Sequence, residues 1–268
     1  MISAGVLGSP ISHSLSPLLH QTAYEILGVQ AHYKAYEVVS GQLAHFLEGE
    51  GSALNALSLT MPLKEEALNV ADSVSDISRQ IASGNTLHKV DSMWHLTSTD
   101  VEGFTYALGA KGVNAQGNVL IIGSGATARA VAAACNGVSD SLTIIHRSQS
   151  RVDSMVTSAP QLQIKFEKWD SKADFGLYDL VVNTTPSNSA SHFIEDIGTN
   201  AGVFFEVLYN PWPTAMLARW RERGNIGLDG LDLLIHQAIS QVEIFTSLTV
   251  NRIEMAHKLR QVGEKALS

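Results

Sequence analysis

The sequence predicts a two-domain α/β protein whose middle part is a doubly wound parallel sheet. Three observations carry that prediction. Short apolar runs of strand length alternate with helix-forming stretches along most of the chain. A glycine-rich turn, Gly123-Ser124-Gly125, joins one such run to a helix of small residues. From Leu231 to the end the pattern is continuously helical, so helices follow the sheet rather than alternate with it.

The elements follow in chain order. Residues 4–8 read as a short strand. Ser16-Pro17 reads as a helix N-cap followed by proline at the first helical position. Leu18, Leu19, Ala23, Ile26 and Leu27 then recur at helical spacing until Gly28 stops the helix. Residues 33–39 are strand-like, 43–47 a short helix, and 53–59 a third strand ended by Met61-Pro62. Thr86–Val90 and Met93–Thr97 are two short strands around a turn at Asp91-Ser92. After Gly103 the character changes. Residues 104–108 are helical, and Gly109, Gly112 and Gly117 punctuate a connection. Asn118–Ile122 is an apolar strand that leads through the glycine turn to a helix over 129–135. Residues 142–145, 163–166, Leu180–Asn183 and 203–207 are further apolar strands, of the kind buried on both faces of a parallel sheet. The last helices, broken near 247–249, are expected to pack back on the first domain. The domains are therefore expected at 1–103 with 232–268, and at 104–231.

Composition narrows the function. Charged residues are 16% of the 268 and apolar residues 45%, which suits a compact folded chain. Acidic residues outnumber basic ones 26 to 18, so no nucleic-acid or anionic-membrane partner is expected. The single Cys135 excludes an internal disulfide and a multi-cysteine zinc site. Ten histidines come without an H-E-x-x-H pattern, so no metal is expected. No apolar run approaches the ~18 residues of a membrane span, and the first residues lack the basic and apolar regions of a secretory leader. The expectation is a cytoplasmic protein acting on a small molecule.

Gly123-x-Gly125-x-x-Ala128 has residues that a dinucleotide site requires. Gly123 makes the sharp turn, Gly125 lets the backbone approach a pyrophosphate, and Ala128 lets the helix sit close to the strand. The helix N-terminus then offers free N–H groups to phosphate. The same pattern also fits a tight turn without a ligand. The following strand ends in His146-Arg147-Ser148, with Arg151 just beyond, where an NAD site would carry an acid. Arg147 is suited to stack on adenine and pair with a 2′-phosphate, so NADP is favoured over NAD. Solvated surface arginines are the alternative.

A second polar set lies in the first hundred residues. Ser12-His13-Ser14-Leu15-Ser16-Pro17 is a hydroxyl-rich turn entering a helix, suited to a carboxylate, although Ser16 also suits a plain cap. Thr60-Met61-Pro62-Leu63-Lys64, Asn85-Thr86 and Thr99-Asp100 bring an ammonium, an amide and a carboxylate to strand ends, where open α/β sheets bind ligands.

Taken together, these motifs resemble the shikimate dehydrogenase family nearly end to end. Residues 8–17 resemble its opening signature, and 59–64 its lysine loop. Residues 83–86 and 98–103 resemble its asparagine and aspartate motifs. Residues 123–130 resemble its glycine loop, and His146-Arg147-Ser148 with Arg151 its NADP clamp. Tyr209-Asn210-Pro211 with Thr214, and Asp229-Gly230-Leu231 followed by Gln237-Ala238, resemble its two late motifs. The resemblance implies an N-terminal substrate domain, a Rossmann-type NADP domain, and reduction of 3-dehydroshikimate to shikimate by NADPH in aromatic amino acid biosynthesis. It implies that Ser14, Ser16 and Tyr209 hold the substrate carboxylate. Thr60, Asn85 and Gln237 would bind ring hydroxyls, and Lys64 and Asp100 would flank the reacting oxygen. Gly123, Ser124, Gly125, Ala126 and Thr127 would hold the pyrophosphate, with Gly230 near the nicotinamide.

The chemistry suits these residue types. Hydride addition to a ketone builds negative charge on oxygen, which a fixed ammonium stabilises and can protonate. Whether Lys64 donates the proton or only polarises the oxygen is open at this level. Ser58 and Ser98 stand where the family usually has asparagine, and so does His146. Asp232 and Leu233 stand where glycine and methionine are common, and an acid at 232 would either repel the cofactor or face solvent. Alternatives are a quinate/shikimate or aminoshikimate dehydrogenase, or a non-catalytic dinucleotide-binding regulator. Monomer and homodimer are both compatible with the family.

Overall fold

The computed structural model describes residues Met1–Ser268. The chain divides into two units, Met1–Gly103 with Leu234–Ser268, and Phe104–Leu233. Both divisions fall inside helices.

The first unit contains β1 (Ile2–Gly8), α1 (Ser16–Leu27), β2 (Ala31–Glu37), α2 (Leu43–Glu48) and β3 (Ala56–Leu59). It continues with α3 (Leu63–Glu66), β4 (Ser73–Val74), α4 (Asp76–Gln80), β5 (Thr86–Val90), β6 (Met93–Thr97) and the start of α5 (Asp100–Ala110). Its sheet has the order β2-β1-β3-β5-β6-β4. β1 runs parallel to β2 and β3, whereas β5 is antiparallel to both β3 and β6, so this sheet is mixed. The reversal comes from Asp91 and Ser92, both in left-handed conformations (φ 50° and 69°). A two-residue turn of that kind matches the twist of the strands it joins. Leu7, Leu57, Leu59, Leu63, Leu87 and Leu96 fill one core cluster under this sheet.

The second unit contains β7 (Asn118–Ile122), α6 (Ala126–Cys135), β8 (Ser141–His146), α7 (Val152–Ser158) and β9 (Ile164–Lys168). It adds β10 (Leu180–Asn183), β11 (Val203–Glu206), α8 (Ala215–Glu222), β12 (Gly227–Leu228) and the start of α9 (Gly230–Thr246). All strands are parallel, in the order β12-β11-β10-β7-β8-β9. The apolar runs are continuous because both faces are covered. In β7, Val119 and Ile121 join one core cluster while Leu120 and Ile122 join another. β10 divides likewise, Leu180 and Val182 against Val181, and β11 places Phe205 and Phe204 on opposite faces.

The C-terminal part of α9 and α10 (Arg252–Leu267) belong to the first unit, where α10 packs against α1. Ser247, at φ 56°, ends α9, and Asn251 caps α10 by accepting from Glu254 N–H. No helix is long and apolar enough to cross a membrane.

Candidate active site

In the first unit, the lysine loop is pinned before it reaches Lys64. Thr60 N–H donates to Leu7 O at 2.9 Å, and Leu63 N–H donates to Thr60 O at 2.8 Å. Gly8 allows this close pass, because a Cβ there would lie 2.3 Å from Thr60 Cγ2. Buried Leu63 anchors α3, and Lys64 follows with its Nζ 2.6 Å from Asp100 Oδ2. Asp100 is the first residue of α5, reached directly from β6. Its other oxygen accepts from Asn85 Nδ2 at 2.8 Å. Asn85 Oδ1 in turn accepts from Thr99 N–H and from the Thr86 hydroxyl, both at 2.8 Å. Asn85 Nδ2 also lies 3.2 Å from Gln237 Oε1, and Gln237 Nε2 donates to Leu234 O in its own helix. Gly103 brings α5 against α9 here, since a Cβ on it would lie 2.9 Å from the Gln237 backbone nitrogen. A charge pair this buried, with side chains 16% and 8% exposed, persists only when further hydrogen bonds satisfy it. Asn85 supplies that bond.

The hydroxyl turn lies in the same unit. Glu37 shapes its entry by accepting from Ser9 Oγ (2.6 Å) and Ile11 N–H (3.0 Å). Ser14 Oγ accepts from Ser16 N–H at 3.3 Å. Ser16 is not the helix cap that the sequence suggested. Leu15 already has helical angles and occupies the N-cap position with no side-chain capping bond, so Ser16 is the first helical residue. Its side chain, 5% exposed, is not spent on capping.

In the second unit, Gly123 has φ 111°, and a Cβ there would lie 2.5 Å from Thr184 Oγ1. Gly125 is the N-cap of α6, no side chain caps that helix, and a Cβ on Gly125 would meet nothing within 4 Å. Open space and uncapped N–H groups there fit a phosphate, and Ser124, Ala126 and Thr127 adjoin Gly125 in the chain. At the end of β8, His146 Nδ1 lies 3.0 Å from Ser148 O, and Ser148 Oγ 2.8 Å from Ser150 Oγ. Exposed Arg147 places its guanidinium 5.0 Å from the Trp169 ring centre, and Arg151 follows in a single 3-10 turn. The cationic end of this strand, without a carboxylate, fits a 2′-phosphate. Tyr209 lies beyond β11 in the second unit, and Ser14 and Ser16 belong to the first. Gly230 opens α9 where a Cβ would lie 2.4 Å from the Leu208 carbonyl carbon.

The comparisons with known proteins bear on the same motifs. The family model for the shikimate dehydrogenase substrate-binding domain matches residues 6–87. The NADP(+) shikimate dehydrogenase of Thermosynechococcus vestitus is 33% identical over 89% of this chain and 88% of its own length. The chain belongs to the shikimate dehydrogenase family. The crystal structure of the Mycobacterium tuberculosis shikimate dehydrogenase superposes with a TM-score of 0.85 at 32% identity, over 98% of this chain and all of that one. The Thermus thermophilus enzyme, in complex with NADP(H) and shikimate, gives 0.83 at 28% identity, over 97% and 99%.

Two departures from the usual shikimate dehydrogenase pattern have local explanations. Ser58 accepts from the Tyr33 hydroxyl (2.5 Å) and donates to Gln241 Oε1 (2.7 Å), so it belongs to a buried polar network. Asp232 neither faces solvent nor stands alone. It sits three residues after Asp229, accepts weakly from Asp229 N–H (3.4 Å), and lies 3.5 Å from Lys111. Asp229 Oδ1 accepts from Leu231 N–H in return, a reciprocal helix cap. Sequence reading named Thr86 and Thr99 only beside Asn85 and Asp100, without a supporting role, and missed Gln241. A signal existed for Gln241, which lies one helical turn beyond Gln237 on the same face.

Proposed function

We propose that this protein is an NADP-dependent shikimate dehydrogenase that reversibly reduces 3-dehydroshikimate to shikimate, in the biosynthesis of aromatic amino acids. One observation carries the reading beyond family membership: the Lys64 ammonium held 2.6 Å from Asp100, with Asn85 on the second carboxylate oxygen. Reduction of a ketone needs a positioned cation where negative charge develops on oxygen. Lys64 stabilises that charge and supplies the proton, and Asp100 keeps the ammonium aimed. In the reverse direction Lys64 takes the hydroxyl proton.

Thr60, Asn85 and Gln237 bind the ring hydroxyls, and Ser14, Ser16 and Tyr209 receive the carboxylate. Ser16 suits that role because capping does not occupy it. NADPH, when bound, supplies the hydride. Gly123, Ser124, Gly125, Ala126 and Thr127 hold its pyrophosphate at the α6 N-terminus. His146, Arg147, Ser148 and Arg151 would take the 2′-phosphate, and Gly230 would serve the nicotinamide end. The reading entails a small-molecule substrate with no nucleic-acid or membrane partner, and a cytoplasmic location that suits the free, buried thiol of Cys135.

Initial rates with shikimate and quinate, each with NADP(+) and NAD(+), test the proposal. Shikimate with NADP(+) is expected to be fastest. No turnover of shikimate, or faster turnover of quinate, would overturn it.

A further inference from the structure

We infer that Gln241 is a positioning residue for the Asn85–Asp100–Lys64 array, acting through the Thr86 hydroxyl. The inference rests on the function proposed above and assigns a role to a side chain outside the substrate and cofactor sites.

Gln241 is fully buried in α9. Its Nε2 donates to the backbone carbonyl of Asn85 at 3.0 Å and to Thr86 Oγ1 at 2.9 Å. A carbonyl only accepts, so the amino end of Gln241 must face it. Thr86 Oγ1 therefore receives a proton from Gln241, and its own proton is directed to Asn85 Oδ1 at 2.8 Å. With the Thr86 hydroxyl and Thr99 N–H both on that oxygen, the Asn85 amide can turn only its nitrogen to Asp100.

The far end of Gln241 is held as firmly. Its Oε1 accepts from Ser58 Oγ at 2.7 Å and lies 3.2 Å from His20 Nε2. Burial drives the His20 pKa down to about 3, so the ring is neutral. Nε2 then carries the proton toward Gln241, and Nδ1 accepts from the Tyr24 hydroxyl at 3.3 Å. Tyr33 stacks on His20 at 4.1 Å and donates to Ser58. One path of donors thus runs from Tyr24 and Tyr33 to the carboxylate that holds Lys64, with side branches from Gln241 to the Asn85 carbonyl and from Asn85 to Thr99 and Gln237. Such fully satisfied buried networks specify a single arrangement.

The test compares Gln241→Met, Thr86→Val, Thr86→Ser and the Gln241→Met/Thr86→Val double variant in shikimate oxidation. Each of the first two is expected to lower kcat about tenfold with the KM for NADP(+) within about twofold. The double variant is expected to be no worse than the poorer single one, because both break one path. Thr86→Ser, which keeps the hydroxyl, is expected within about threefold of the parent. Multiplicative losses in the double variant, equal impairment of Thr86→Ser and Thr86→Val, or undiminished kcat in Thr86→Val would overturn the inference. The last result would mean that Thr99, through its N–H and hydroxyl, suffices without Thr86. Should Gln241→Met fail to fold, the Thr86 pair decides. Failure of the parent to oxidise shikimate would instead strike the proposed function. The positioning role is then read from the Asn85 side-chain amide by NMR, expected as a slowly exchanging pair that Thr86→Val exposes. An unaltered pair would refute it.

Discussion

Lys64 Nζ and Asp100 Oδ2 lie 2.6 Å apart although 36 positions separate them in the chain. Among the side chains that hydrogen bonds join to this pair, the ammonium alone carries positive charge, since Asn85 and Gln237 are neutral amides. Lys64→Ala is expected to lower kcat by about 10²-fold or more, as for loss of a preorganised charge donor. Shikimate binding should survive. Steady-state kinetics with a binding titration check this, and near-normal kcat would remove Lys64 from the mechanism.

Asp100→Asn tests the carboxylate separately. One Asp100 oxygen accepts from Lys64 and the other from Asn85. An asparagine there must turn its NH₂ group toward one of two donors, whichever way it flips. The expected result is a kcat at least tenfold lower and a loss of roughly 1–3 kcal/mol of stability, the cost of a buried donor left without an acceptor. Kinetics and urea unfolding on the same preparation read both effects. An unchanged stability would mean that the pair relaxes into water.

Arg147 carries the cofactor assignment. It is exposed and rests over Trp169, so its removal is expected to leave the fold intact. Arg147→Ala is expected to raise the KM for NADPH about tenfold or more, the order of one charge-assisted hydrogen bond. The KM for NADH should change by about twofold or less, because NADH lacks the 2′-phosphate. Equal effects on both cofactors would sink the phosphate contact.

Much of this was legible in the sequence because local chemistry fixes it. β7 and β10 run as the sequence predicts, since unbroken apolar runs bounded by polar residues have few other uses in a parallel sheet. Asp91-Ser92 announces its hairpin by turn chemistry instead, two polar residues between two strand-like runs. The helix start at Ser16 was misplaced by one residue because serine before proline imitates a cap, whereas the backbone had already turned helical at Leu15. α7 is a short helix of mixed polar sequence, whereas α8, with Met216, Leu217 and Trp220 on one face, had a helical pattern that the reading passed over. Lys64, Asn85 and Asp100 stood out as polar residues at strand ends. Thr86 showed only as the neighbour of Asn85, and the one signal for Gln241, its place a helical turn beyond Gln237, says nothing of the residue it would hold.

Asp232 offers a test of the helix cap at the start of α9. It accepts from Asp229 N–H and pairs with Lys111. Asp232→Ala is expected to destabilise the protein by about 1 kcal/mol, the usual cost of losing a capping partner and a charge near a helix N-terminus. Affinity for NADPH should not improve, because the carboxylate is already engaged. Tighter NADPH binding in the variant would show that the acid repels the cofactor.

His20 and Glu206, one in each unit, give folding stability opposite responses to acid. Burial lowers the His20 pKa from 6.5 to about 3, against a weaker opposing hydrogen bond to Gln241. The unfolded ring takes up a proton below pH 6.5 and the native ring does not, so this group's share of stability is lost as pH falls from 6.5 toward 3. Burial raises the Glu206 pKa from 4.5 to about 7, although Thr214, Asn183 and backbone N–H groups donate to the carboxylate and oppose the shift. The native carboxyl is protonated below pH 7 and the unfolded one only below 4.5, so this contribution grows as pH falls from 7 to 4.5. Between pH 4.5 and 6.5 the two partly cancel, each changing stability by up to about 3 kcal/mol over those two units. Glu206→Gln is therefore expected to lose stability more steeply than the parent on acidification from pH 7 to 4.5. His20→Phe, which keeps the stacked ring, should lose it less steeply or gain. Urea unfolding at half-unit pH intervals measures the slopes, and slopes parallel to the parent in both variants would show that neither buried group titrates across folding.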